Sequence, residues 1–119
     1  MCVELLLVED YKADAMILLE AIERVEFKSN VHHVLDGKDA VEYLSNDNSP
    51  RPDMILLDLN MPRMNGHEVL QWIKQDDNRR DIPVGILTTS SDEADIKKAY
   101  QNYASYYIIK TTTFNALET

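Results

Sequence analysis

The chain has 119 residues, 45% of them hydrophobic and 28% charged, which predicts one globular domain with an ordinary core. Its net charge of −9 argues against non-specific nucleic-acid binding and against docking on anionic membranes. No apolar run approaches the ~20 residues of a membrane span, no signal-peptide pattern opens the chain, and the single Cys2 cannot form an internal disulfide. The expected compartment is the cytoplasm.

Strand and helix signals alternate along the chain. Leu5 to Val8 is a fully apolar strand, followed by Glu9-Asp10. Tyr11 to about Val25 reads as a helix, with Leu18, Ala21, Ile22 and Val25 on one stripe. Val31 to Leu35 has strand character but carries His32 and His33, which places it at a sheet edge. Gly37 to Ser45 repeats apolar residues at helical spacing. After a polar loop, Asn46 to Pro52, the run Met54 to Leu57 is a buried strand that delivers Asp58 to its carboxyl end. Pro62 and Gly66 turn the chain into a helix reaching about Gln75, which buries Val69, Leu70 and Ile73. Val84 to Leu87 is a further strand. Asp92 to about Tyr103 is a helix with Ile96, Ala99, Tyr100 and Tyr103 on its inner face, capped by Ser91 or Asp92. Tyr106 to Ile109 is the fifth strand, and Phe114 to Thr119 forms at most a turn or two of helix. Five apolar strands alternating with amphipathic helices predict a doubly wound, flavodoxin-like (βα)5 sandwich with parallel strand order 2-1-3-4-5.

In such a sheet, chemistry gathers at the carboxyl ends of the strands. Glu9, Asp10 and Asp58 arrive there together. Clustered carboxylates repel by roughly 1 to 4 kcal/mol per pair at about 4 Å. An oxygen-only set of this kind suits Mg²⁺. Thr88 and Lys110 end two further strands, and Asn60 lies two residues past Asp58. The set fits the placing of a phosphoryl group on Asp58. The carboxylate acts as nucleophile, Asp10 and Asp58 hold the ion, and Lys110 and Thr88 meet phosphoryl oxygens.

Each residue also has a plainer use. The acids could cap helices and solvate turns. Lys110 could be a surface lysine, Thr88 a turn hydroxyl, and Tyr107 a half-buried strand aromatic. His32, His33 and His67 show no ligand spacing and read as surface or edge residues. Trp72 reads as packing beside a buried stripe. Asp76 and Asp77 with Arg79 and Arg80 read as a solvated helix end and loop.

The motifs Leu-Val-Glu-Asp (7–10), Leu-Leu-Asp-Leu-Asn-Met-Pro-x-Met-Asn-Gly (56–66), Leu-Thr-Thr-Ser (87–90) and Tyr-Ile-Ile-Lys (107–110) follow one another from first strand to fifth. Together they strongly resemble the receiver domain of two-component response regulators. Arg-Pro-Asp-Met-Ile-Leu-Leu-Asp-Leu-Asn and Ile-Pro-Val-x-Ile-Leu-Thr-Thr-Ser-Ser look most like the single-domain regulators that partner bacterial phytochromes and related sensor kinases. The resemblance implies that Asp58 is the phosphoacceptor and Asp10 a direct Mg²⁺ ligand. It implies that Glu9 acts through a metal-bound water and that the Asn60 backbone carbonyl completes the metal site. Lys110 and Thr88 match the phosphoryl-oxygen partners. Thr88 and Tyr107 match the switch pair, with the aromatic moving inward as the hydroxyl turns to the phosphoryl group. The implied donor is a sensor histidine kinase. The implied recipient is a downstream protein or phosphotransfer partner that reads the face of the fourth helix and fifth strand. No nucleic-acid or membrane partner is expected, and no enzymatic activity beyond the chain's own phosphorylation and dephosphorylation.

Two departures bear on this. Thr111 follows Lys110 where the family usually has proline, often after a cis bond. A cis bond before a non-proline residue costs about 2.5 to 4 kcal/mol, so the loop and the aim of Lys110 are expected to differ. The family's last helix normally runs three turns or more, whereas this sequence stops at Thr119. Apolar sheet surface left uncovered would promote a homo-oligomer, which ultracentrifugation would detect. Three rival readings are a phosphorylation-independent interaction module, a haloacid-dehalogenase-type aspartyl-phosphate phosphatase and a flavin carrier. The phosphatase needs an aspartate where Asn60 stands. The flavin carrier needs phosphate donors where Glu9-Asp10-Tyr11 is acidic.

Overall fold

The computed structural model describes residues 2–10, 16, 19–20, 28–59, 61, 64–89 and 91–109. Five strands are described, β1 (Cys2–Val8), β2 (Lys28–Val34), β3 (Met54–Leu57), β4 (Val84–Thr88) and β5 (Tyr106–Ile109). They form one parallel sheet in the order β2-β1-β3-β4-β5. The helices between them are α1 (Gly37–Ser45), α2 (Gly66–Lys74) and α3 (Glu93–Gln101). Met16, Leu19 and Glu20 are helical as well; the rest of the helix expected from Tyr11 to Val25 lies outside the described residues, as does Phe114 to Thr119. No helix among the described residues is long and apolar enough to cross a membrane.

Alternation along the strands divides the core between two faces. Leu6, Val8, Ile55, Leu57, Val84 and Ile86 point to one face, where Ala40 of α1, Val69, Leu70 and Ile73 of α2 and Ala99 of α3 cover them. Leu5, Leu7 and Leu56 point to the other, with Leu19, Val31, Met54 and Tyr106 packed against them. On that second face Gly85 is a socket: a Cβ there would fall on the ring of Tyr106, its partner in the β4–β5 register.

Each helix has a reason to start where it does. Asp36 caps α1, its Oδ1 accepting from the Asp39 N–H at 2.9 Å. Asn65 and Glu68 form a reciprocal capping box on α2, and Asp92 caps α3 by accepting from the Ala94 N–H at 2.9 Å. At the end of α2, Lys74 donates to the carbonyls of Arg80 and Ile82 at 2.9 and 2.8 Å. The desolvation that comes with this docking pulls its pKa below the ordinary lysine value.

Two expectations need correction. β1 and β2 begin earlier than their apolar runs suggest, because polar side chains satisfy each other on the sheet. Glu4 of β1 accepts from Asn30 Nδ2 at 3.0 Å and pairs with His32 Nε2 at 2.7 Å, both on β2. The inner stripe of α3 is also narrower than its spacing implied. Ala99 is buried and Ile96 half-buried, but Tyr100 is 48% exposed and Tyr103 75% exposed. The helix stops at Gln101, and Tyr103 takes a positive φ of 69°, so helical periodicity no longer governs its direction. Ala104 takes the buried position instead.

Candidate functional site

Register brings the acids together. Val8 pairs with Leu57, so Glu9 and Asp58 leave neighbouring strands level with one another. The Asp58 N–H donates to the Val8 carbonyl at 3.1 Å, and the Glu9 N–H to the Val34 carbonyl at 3.1 Å, which carries the ladder one step past the strands. Glu9 is 2% exposed and Asp58 7% exposed, whereas Asp10 is open to solvent. One carboxylate oxygen from each of the three lies within 4.8 Å of the others. At an effective dielectric of about 20, charges that far apart repel by about 3 to 4 kcal/mol per pair. Gathering two buried carboxylates with a third beside them has a cost that a cation sharing the site would reduce. The donors are all hard oxygens, and one side of the cluster is open, so the residues fit Mg²⁺ or Mn²⁺. Asp36 is equally buried at the same edge, but capping α1 accounts for it.

The remaining expected site residues divide by whether they are described. Thr88 is fully buried at the end of β4 and pairs with Ile109. Lys110 follows Ile109 in sequence but lies outside the described residues, as do Asn60 and Thr111. Tyr107 pairs with Ile86 and is half-buried against the main core. A recess of about 380 Å³ at the opposite edge of the sheet, lined by Tyr43, Pro50, Arg51 and Arg79 among others, contains none of these groups.

Sequence reasoning missed three supporting residues. Gly66 opens α2 directly against the exit of β3: its N–H donates to the Leu59 carbonyl at 2.9 Å, and a Cβ would fall on the Asp58 carbonyl oxygen. His67, expected at the surface, is 9% exposed, and its Nε2 sits 3.1 Å from Asp95 Oδ1 of α3. His33 Nε2 lies 2.8 Å from the Glu9 carbonyl oxygen. Histidine spacing along the chain carries no trace of this contact; only the parallel pairing of β1 and β2 brings it about. The plainer readings of Trp72 and Arg80 hold, whereas Arg79 is drawn from the solvated loop onto the Trp72 ring. The Arg79 guanidinium stacks 3.6 Å over the Trp72 ring, Arg79 and Arg80 pair with Asp76 and Asp77, and Cys2 is exposed.

Known proteins share this architecture. The family profile described as "Response regulator receiver domain" matches residues 5–119. The "Probable methanogenesis regulatory protein FilR2" of Methanothrix harundinacea is 42% identical over 117 residues, covering 96% of this chain and 76% of its own. Response regulator Rcp1 of Synechocystis sp. is 38% identical over 117 residues, covering 95% of this chain and 80% of its own. A crystal structure of the Mn²⁺-bound form of Rcp1 superposes with a TM-score of 0.90 at 36% identity, covering 98% of this chain and 89% of that one. The phosphorylated cyanobacterial phytochrome response regulator RcpA superposes with a TM-score of 0.92 at 40% identity, covering 98% of this chain and 86% of that one.

Proposed function

Because the chain belongs to the response regulator receiver domain family, we propose that it takes a phosphoryl group onto Asp58 from a sensor histidine kinase and signals by a change of surface. The observation that carries this reading is the gathering of buried Glu9 and Asp58 with open Asp10 at the carboxyl edge of the sheet. Glu9, Asp10 and Asp58 would hold Mg²⁺, with the Asn60 backbone carbonyl. The ion, when bound, supplies positive charge against phosphoryl oxygens.

Asp58 works as the nucleophile. A carboxylate oxygen bonds to phosphorus as the bond from phosphorus to the donor's imidazole nitrogen breaks, and the electron pair leaves with that nitrogen. The ladder hydrogen bond from Asp58 to Val8 and the packing of Gly66 behind its carbonyl hold the nucleophile's backbone still, which favours in-line attack. The Thr88 hydroxyl and Lys110 meet phosphoryl oxygens as they gain charge. Turning of Thr88 frees room for Tyr107, which already rests half-buried against the core, to move inward. The chain then catalyses only its own phosphorylation and dephosphorylation. Likeness to RcpA, a phytochrome response regulator, supports a phytochrome-like kinase as donor. A downstream protein or phosphotransfer partner reads the α3–β5 face.

Intact mass after incubation with acetyl phosphate tests this. One phosphoryl adduct is expected in Mg²⁺, none in chelator and none in Asp58→Asn. No adduct with Mg²⁺ affinity intact would turn the reading toward a phosphorylation-independent interaction module.

A further inference from the structure

We infer that His33 is a positioning residue for the cation site, acting through the peptide between Glu9 and Asp10. This rests on the reading of Glu9, Asp10 and Asp58 as metal ligands. A carbonyl oxygen can only accept, so the 2.8 Å contact requires His33 Nε2 to carry the proton and donate to the Glu9 carbonyl. β1–β2 pairing ends at Val8 and Val34, one residue before Glu9. Past that point the Glu9 N–H still reaches the Val34 carbonyl at 3.1 Å, and the His33 side chain takes the Glu9 carbonyl. Both polar groups of the Glu9 backbone are thereby held by β2.

The three acids differ in how much they need such help. Glu9 and Asp58 are buried at 2% and 7% exposure, so packing fixes their side chains. Asp10 is exposed, in a bend just beyond the strand, and packing restrains it least. Fixing the Glu9 carbonyl fixes the plane of the following peptide, because that unit is rigid. The plane sets the direction in which Asp10 leaves β1. His33 therefore aims the one ligand that the core does not hold. Groups that orient metal ligands in this way typically matter by 10- to 100-fold in affinity. The position of His33 on an edge strand also makes it a side chain that can be changed without opening the core.

The test is calorimetric titration of Mg²⁺ into metal-free protein for wild type, His33→Phe and His33→Gln. Phenylalanine keeps a ring on the strand and removes the donor; glutamine restores an N–H at similar reach. Expected are affinity about 10-fold weaker in His33→Phe, near-wild-type affinity in His33→Gln, and metal-free melting temperatures within ~2 °C of one another. Equal affinity in wild type and His33→Phe would overturn the inference and leave the metal site standing. Equal loss in both variants, with both melting lower, would assign His33 to the fold alone and also overturn it. Failure of wild type to bind Mg²⁺ would instead sink the reading of the acids, and the inference with it.

Discussion

A β-carbon at residue 66 would fall on the carbonyl oxygen of Asp58 and lie 2.7 Å from Leu59 Cα. From the sequence, Gly66 reads as a turn former. Its use is different: no glycine among the described residues has a positive φ, so what Gly66 supplies is closeness. This makes Gly66→Ala a test with a definite sign. In an ordinary helix position alanine would stabilise by about 1 kcal/mol. Here the methyl must push α2 from β3 or displace the backbone of Asp58. We expect destabilisation of about 1 to 3 kcal/mol in urea denaturation, with slower uptake from acetyl phosphate. A stabilised Gly66→Ala would mean that α2 begins farther from Asp58 than described. The placing of Asp58 at the carboxyl edge was legible because an apolar run that ends in one acid delivers that acid to the strand's end. Gly66, His67 and His33 were not, since their work depends on contacts between elements far apart in sequence.

Elements were legible where a single signal decided them. α1, β3 and β5 begin and end as read, for their apolar patterns stop where turns or caps begin. α3 was misjudged at its end, where the chain leaves the helix through Tyr103. The Ala104 N–H reaches back to the Ala99 carbonyl at 3.0 Å, the closure that normally puts glycine in the left-handed position before it. A Cβ in that conformation costs roughly 1 to 2 kcal/mol, and the extra freedom of an unfolded glycine returns about 0.5 to 1. With its side chain 75% exposed, Tyr103 has little packing to lose. Tyr103→Gly should therefore stabilise by about 0.5 to 1 kcal/mol, read from the urea midpoint; a less stable variant would mean that the ring has a binding partner on the protein surface. The β1–β2 edge makes a second prediction, in pH. The hydrogen bonds from Asn30 first, then His32, hold the Glu4 carboxyl below its ordinary 4.5. A lowered folded pKa means the unfolded chain binds more protons as the pH falls, so this contribution is present above the ordinary value and is lost through the folded one. Glu4→Gln should thus be less stable than wild type at about pH 6 and approach it at about pH 3. A gap that stays constant across that range would remove the charge from the explanation.

At the scale of the whole molecule, 21 acidic against 12 basic residues set a diffuse repulsion on which the local repulsion at the cluster is superimposed. Added salt distinguishes the two. NaCl screens exposed charges everywhere, so it should raise the melting temperature of wild type and Asp58→Asn alike. Mg²⁺ at fixed ionic strength acts only where ligands converge. At about 100 times its Kd, one bound ion adds about 2.7 kcal/mol, which in a domain of this size raises the melting temperature by several degrees. Asp58→Asn removes one member from two of the three repelling pairs, so in metal-free buffer it should melt above wild type and respond little to Mg²⁺. On the proposed reading the two effects have one cause: the carboxylates whose repulsion weighs on the fold without metal are those that would bind the metal. If Asp58→Asn melted below wild type in chelator, the hydrogen bonds to that carboxylate would outweigh its repulsion. Equal gains from Mg²⁺ in both proteins would reduce the ion to one more screening salt. A receiver reading requires the asymmetry, because the fold would then keep in place an arrangement of charge that a cation, and then a phosphoryl group, makes more favourable.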